Sequence, residues 1–220
     1  MYQEVLKGLR ELGDRSSEGK TLNNLGSVYQ GQGSWDQAIE CYQESLRIKR
    51  ELGDRYGEGI TLVNIGNVYY FQGRWDQAIE SYETSLRIFR KLDDRHGEGQ
   101  TLNNLGEIYT MQGCWQEAKE YFDQSLPICH ELGDRLGEAY LLHNLGKWHK
   151  GQGRLDEAIA RYQEALRIWQ ELEAWPQVGE TLHALAEVYA IQGDWTKAAE
   201  MDEQAAEAWR RAAERGWISG

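Results

Sequence analysis

The chain has 220 residues and carries 24 Lys and Arg against 36 Asp and Glu, which gives a formal net charge of −12. Because affinity for a phosphate backbone comes mainly from Lys and Arg, this balance argues against binding to nucleic acids and to anionic membrane surfaces. The mean hydropathy is −0.71, and no apolar run approaches the ~18 residues of a membrane-spanning helix, so a transmembrane segment is excluded.

The sequence shows neither a recognisable signal peptide nor a cysteine motif. Residues 1–15 lack the basic start, apolar centre and small-residue cleavage site of a signal peptide. The cysteines are Cys41, Cys114 and Cys129, and none forms a CxxC pair. They indicate neither a disulfide framework nor a zinc site, and we expect reduced thiols. The sequence therefore predicts a cytoplasmic protein that needs no cofactor.

In chain order, residues 1–12 come first and align with residues 41–52. They are therefore predicted to form the second helix of a two-helix repeat whose first helix is missing. This implies a piece of a longer array, or an end closed by another molecule. Repeats of 40 residues then begin near residues 14, 54, 94, 134 and 174. A fixed period in this range is typical of a solenoid, so we predict one domain over residues 1–220.

Each repeat is predicted to contain two helices, since apolar residues recur at spacings of three and four. Gly33 and its equivalents stand where the first helix must stop, as a left-handed C-cap allows. Ser34 followed by Gln37 resembles a capping box that opens the second helix. Asp54, in a recurring Gly-Asp-Arg turn, is expected to cap the next first helix. The last helix is predicted over about residues 195–214, as a polar cap.

A small residue is required inside every first helix. Gly26, Gly66, Gly106 and Gly146 share one place in the repeat, and Ala186 holds it in the last. Since a helical Gly costs about 1 kcal/mol relative to Ala, the second helix is expected to cross the first closely here.

These features resemble the tetratricopeptide repeat. The matching residues in the first full repeat are Leu22, Leu25, Gly26, Tyr29, Gly33, Trp35, Ala38 and Tyr42. The 40-residue length and the N-L-G-x-x-Y and G-D-R-x-G-E motifs are similar to the longer variety found in spindle-orientation scaffolds, kinesin light chains and bacterial signalling proteins. The resemblance implies an all-α, right-handed superhelical solenoid of antiparallel helix pairs, with about five and a half repeats.

No catalytic arrangement accompanies the histidines, so we expect no enzyme activity. One alternative is a metal ion held by His143, His183 and Glu187, since the histidines lie one repeat apart and Glu187 follows one turn later. Two histidines and one carboxylate seldom suffice without supporting hydrogen bonds, which makes this alternative weak.

By the resemblance, the first helices line a concave groove that binds a partner segment, extended or helical. Asn24, Asn64, Asn104 and Asn144 would form a column with one amide per repeat, able to pair with a peptide backbone. An alternative that the sequence leaves open is that these amides only bridge adjacent helices. The first repeat also contributes Asn23, Ser27 and Gln30 to this face.

Side chains beside the column are expected to set specificity. Tyr70, Phe71 and Met111 form a predicted apolar patch, and His143, Lys147 and Lys150 a basic patch suited to a carboxylate. The expected peptide-binding residues are Asn24, Asn64, Asn67, Tyr70, Phe71, Asn103, Asn104, Met111, His143, Asn144, Lys147 and Lys150.

The function predicted from the sequence is a protein-binding or peptide-binding scaffold. Two alternatives remain: assembly or self-association through residues 1–12, and service as a sensor segment of a larger signalling protein.

Overall fold

The computed structural model describes residues 2–217, and from residue 4 onward it also describes the side chains. The described residues form eleven α-helices and no strand. The helices are α1 Tyr2–Leu12, α2 Arg15–Gly31, α3 Trp35–Glu51, α4 Arg55–Phe71, α5 Trp75–Lys91, α6 Arg95–Met111, α7 Trp115–Leu132, α8 Arg135–Gly151, α9 Leu155–Glu171, α10 Trp175–Ile191 and α11 Trp195–Glu214. The all-α prediction is confirmed.

Two compact units divide the chain, one up to Ile108 and one from Tyr109 onward, with the boundary inside α6. In the first unit α2 packs on α3 and α4 on α5, and in the second α8 packs on α9 and α10 on α11. These are the predicted helix pairs of single repeats. The orphan helix α1 packs on α2, where Leu6 joins a buried cluster with Leu22, Leu25 and Ile48.

The predicted glycine caps are confirmed. At the turn after each helix, the chain adopts a left-handed conformation that glycine accepts without a steric penalty. The first-helix glycines Gly33, Gly73, Gly113, Gly153 and Gly193 have φ between 70° and 81°. Asp93 and Glu173 take the same conformation where other repeats have Gly, with φ of 53° and 54°.

Helix starts divide into two kinds. Asp54 caps α4 as predicted, because its Oδ1 accepts a hydrogen bond of 2.9 Å from the backbone N of Gly57. The capping box predicted at Ser34 is wrong, since the Ser34 side chain makes no capping bond. The backbone N of Ser34 instead donates to the carbonyl of Tyr29 at 2.9 Å, so this start is fixed by the preceding turn.

The Arg and Glu of the Gly-Asp-Arg-x-Gly-Glu motif form an ion pair whose carboxylate is buried. Glu58 is buried at 3% exposure. Its Oε1 accepts a hydrogen bond of 2.8 Å from Arg50 Nε, and its Oε2 pairs with Arg55. The buried carboxylate therefore joins the end of one second helix to the start of the next first helix. Glu18 and Glu98 have the same two-arginine pairing.

None of the helices among residues 2–217 has the length and apolarity that crossing a membrane requires.

Candidate binding surface on the first helices

The predicted binding residues all lie on first helices, but the two compact units must be taken separately. We call the surface formed by α2, α4 and the part of α6 up to Ile108 the N-terminal wall, and the surface formed by α8 and α10 the C-terminal wall. The N-terminal wall carries Asn24, Asn64, Asn67, Tyr70, Phe71, Asn103 and Asn104, and the C-terminal wall carries His143, Asn144, Lys147 and Lys150. Met111 ends α6 in the second unit.

Asparagine amides dominate the N-terminal wall. Asn24 is exposed, whereas Asn64 and Asn104 are half-buried. Asn64 Nδ2 donates a hydrogen bond of 3.2 Å to Oδ1 of Asn23 on the neighbouring first helix. The bridging alternative therefore applies to Asn64, whereas Asn24 remains open to solvent.

Tyrosines from the second helices support this wall from behind. The hydroxyl of Tyr42 donates to Gln30 at 2.9 Å and lies 3.0 Å from the hydroxyl of Ser27. Tyr82 donates to Asn67 Oδ1 at 2.6 Å. Asn67 is therefore held by the protein itself, which leaves less of its amide for a partner than the sequence predicted.

An aromatic cluster lies at the C-terminal end of α4. Phe71 is 60% exposed, stacks on Trp35 with ring centroids 5.7 Å apart, and meets the edge of Tyr70 at 5.4 Å. Tyr70 is tied down by its hydroxyl, which donates to Glu107 Oε1 at 2.9 Å. Burial, followed by the nearby Glu107 carboxylate, raises the pKa of Tyr70 well above its usual value. The cluster presents Phe71 as an apolar contact on a rigid base.

Met111 was expected to extend this apolar patch. Its side chain is 52% exposed, but it belongs to the second unit, while Tyr70 and Phe71 belong to the first. Within the first unit, Phe71 and its neighbours Trp35 and Tyr70 form an aromatic cluster, and the inclusion of Met111 in the patch stays a prediction.

The C-terminal wall differs from its prediction in charge. Burial, followed by the charges of Lys147 and Lys150, lowers the pKa of His143 to about 3. Its Nδ1 lies 3.0 Å from Oγ1 of Thr181, and its ring meets the Tyr162 ring at 5.2 Å. His143 is consequently neutral near pH 7 and adds nothing to the expected basic patch.

Lys150 is also less available than predicted, because its Nζ forms an ion pair of 2.7 Å with Glu187 on the next first helix. Asn144 departs further from the prediction. It is buried at 5% exposure, so its amide cannot meet a partner without movement of its neighbours. Of the four asparagines in the predicted column, Asn24 is exposed and Asn64 and Asn104 are half-buried, and these three lie on the N-terminal wall.

The metal alternative finds no support in the geometry. His183 Nδ1 pairs with Asp202 Oδ1 at 2.8 Å, while Glu187 is engaged by Lys150. Within residues 2–217, no group of three or more His, Cys, Asp or Glu side chains is placed to hold a metal ion.

Thr61 is a contributor that sequence reasoning missed. It is buried, donates to the Gly57 carbonyl at 2.8 Å, and lies 3.3 Å from Asn23 Oδ1. The recurrence of Thr at this place, as Thr101 and Thr181, was the available signal. All three threonines are buried on first helices.

The paired helices, the glycine caps and the close crossing at Gly26 define a solenoid of α-helical hairpins. Two family models described as tetratricopeptide repeat match the chain, one over residues 17–91, 97–171 and 138–211 and the other over residues 63–129. The chain belongs to the tetratricopeptide repeat family. No curated protein matches it in sequence at a significant level.

Solved structures agree on the fold. BtubC (BKLC) from P. vanneervenii is similar over 100% of this chain and 91% of its own, with a TM-score of 0.77 and 23% identity. The Rap conjugation gene regulator of plasmid pLS20, in complex with a Phr peptide, has a TM-score of 0.79 and 20% identity over 90% of this chain and 55% of its own. Kinesin light chain repeats of Podosopora anserina have a TM-score of 0.64 and 20% identity over 88% and 95%.

Proposed function

We propose that this protein is a non-catalytic scaffold whose N-terminal wall binds an extended segment of a partner protein. Tetratricopeptide repeats typically serve protein interaction, and the similar Rap regulator was solved with a peptide. The observation that carries the proposal is a column of accessible amides, Asn24, Asn64 and Asn104, on the same wall as the exposed ring of Phe71.

The chemistry of the wall fits a peptide backbone. An Asn amide can accept from a main-chain N–H and donate to a main-chain carbonyl, so a column of amides binds an extended chain without reading its side chains. Phe71 would supply the apolar contact that selects one side chain of the partner. Because burial and ion pairing remove much of the charge expected on the C-terminal wall, that wall is assigned a smaller share of the binding.

The test begins with peptides selected from a displayed library of random linear sequences against the wild-type chain, followed by calorimetric measurement of affinity. Each amide hydrogen bond contributes about 0.5–1.5 kcal/mol, so replacing Asn24, Asn64 and Asn104 together with Ala should weaken binding by at least about tenfold. Gln43→Ala with Gln163→Ala is the matched control, since both amides are exposed on second helices.

Two results would refute the proposal. One is that the library yields no peptide that binds the wild-type chain. The other is that selected peptides bind the triple Asn variant as tightly as the control variant, which would place the binding surface elsewhere.

A second function, self-association through α1, is favoured by the exposure of Val5 and Leu12, at 47% and 82%. Apolar side chains open to solvent on a helix with one packed side can accept another helix. Light scattering over a range of protein concentrations tests this function. A rising mass that Val5→Glu abolishes would support it, and a constant monomer mass would exclude it.

A further inference from the structure

The hydrogen bond between Asn23 and Asn64 joins two adjacent first helices. Asn23 lies on α2 and Asn64 on α4, and Oδ1 of Asn23 accepts from Asn64 Nδ2 at 3.2 Å. Thr61 Oγ1 lies 3.3 Å from the same oxygen. Thr61 donates its one hydroxyl proton to the Gly57 carbonyl. Asn64 is therefore the donor to Asn23 Oδ1, and this bond orients both amide groups.

The remaining hydrogen-bonding groups of this pair are complementary to one peptide unit. An Asn amide has two N–H donors and one oxygen acceptor. After the bond is made, both N–H groups of Asn23, one N–H of Asn64 and Oδ1 of Asn64 remain. Both residues are half-buried, and the fully buried side-chain atoms without partners in the described chain belong to four other residues. The remaining amide groups thus reach solvent side by side.

We propose that Asn23 is a positioning residue for Asn64, and that the two amides together form a site for one main-chain peptide group of the partner. The inference rests on the proposed function and deepens it. The hydrogen bond between the helices then supports partner binding, because it orients an amide that would otherwise rotate freely. An oriented group loses less entropy on binding.

The next repeat provides an internal comparison. Val63 occupies in α4 the place that Asn23 occupies in α2, and its side chain has no polar atom. Val63 cannot orient Asn104 as Asn23 orients Asn64. Val63 therefore leaves α4 without this half of the amide pair, so we expect the amide of Asn64 to be better ordered than that of Asn104.

The experiment measures ¹⁵N relaxation of the Asn side-chain amides, together with the affinity for a library-selected peptide. Asn23→Val removes the acceptor and uses the residue that α4 already carries at this place. Asn64 should become as mobile as Asn104, and affinity should fall about tenfold, the equivalent of about 1.4 kcal/mol. Asn23→Asp retains an acceptor oxygen and should keep Asn64 ordered, which separates positioning from general damage.

A gain of function provides the second variant. Val63→Asn should order the amide of Asn104 in the way that Asn23 orders Asn64, and should raise affinity rather than lower it. Unchanged relaxation of Asn64 in Asn23→Val would overturn the positioning role. Lost order with unchanged affinity would overturn the amide-pair site.

The outcomes also separate this inference from the proposed function. If the wild-type chain selects no peptide, the proposed function and the amide-pair site both fail, whereas the relaxation data still decide whether Asn23 orients Asn64. If peptides bind and the triple Asn variant loses affinity while Asn23→Val does not, the proposed function stands and the inference fails.

Discussion

The ring of Tyr82 occupies the space that a side chain on Gly66 would need. A Cβ atom built on Gly66 would lie 2.5 Å from Cε1 of Tyr82, and the ring cannot easily withdraw because it is 2% exposed and its hydroxyl is bonded to Asn67. In the last repeat Asp202 replaces this tyrosine, and there the glycine has become Ala186. The small residue predicted from the repeat is thus explained by one aromatic ring.

Gly66→Ala should destabilise the protein, even though Ala is the better helix former. Forcing a methyl group into a packed contact costs about 1–3 kcal/mol. Urea denaturation measures the change. The matched control is Gly8→Ala on α1, where a Cβ would meet no atom within 4 Å, and this variant should gain about 0.5–1 kcal/mol from helix propensity. Equal effects at the two sites would contradict the account.

The two-arginine pairing of Glu58 predicts that removing both arginines destabilises the protein more than neutralising Glu58. Removing Arg50 and Arg55 together leaves a buried carboxylate without compensation, which costs about 3–5 kcal/mol. Glu58→Gln removes the charge while the half-exposed arginines stay hydrated, so it should cost only about 1 kcal/mol. Chemical denaturation of both variants checks this. A smaller loss for the double arginine variant would show that Glu58 is not effectively buried.

His143 should make the protein less stable as the pH falls. Its pKa is lowered from 6.5 to about 3 in the folded protein, so between these values the unfolded chain binds a proton that the folded chain does not. The resulting stability is present above about pH 6.5 and is lost progressively as the pH approaches 3.

Urea midpoints at about pH 7 and about pH 5 test this expectation. His143→Asn places the residue of Asn23 and Asn103 at the same position in the repeat, and it should show a smaller loss between the two pH values. Equal losses for both proteins would mean that His143 titrates normally when folded.

Asp93→Gly should stabilise the protein. Asp93 adopts φ of 53°, a conformation that costs about 1 kcal/mol for a residue with a Cβ and little for glycine. The expected gain of about 0.5–1 kcal/mol raises the melting temperature by roughly 1–4 °C. Gly53→Ala, at the same turn one repeat earlier, is the converse control and should lower it. Unchanged melting of Asp93→Gly would show that its turn carries no strain.

The sequence was sufficient for features that depend on one residue or one helix pair. The left-handed turn at Gly33, the cap at Asp54 and the bounds of α11 follow from local conformational preferences that repeat at a fixed spacing. The capping box predicted at Ser34 was wrong because its residue does not repeat. Arg74 and Cys114 hold that place in other repeats, so the repeats share no capping side chain there.

Features that depend on how neighbouring repeats stack could not be predicted. Asn23 and Asn64 are 41 positions apart, and their hydrogen bond depends on the rotation between two first helices. The lost charge of His143 depends on burial against Tyr162, and the burial of Asn144 on packing that its equivalents Asn24 and Asn64 do not share. Period and motif are the same in these repeats, so only coordinates distinguish them.

The most direct test of the central claim locates a bound peptide on the protein. A library-selected peptide carrying a nitroxide spin label is added to ¹⁵N-labelled protein, and the loss of side-chain amide signals is recorded. We expect the signals of Asn24, Asn64 and Asn104 to be lost and those of Gln43 and Gln163 to persist. Loss of the glutamine signals with intact asparagine signals would place the partner on the second helices and contradict the account.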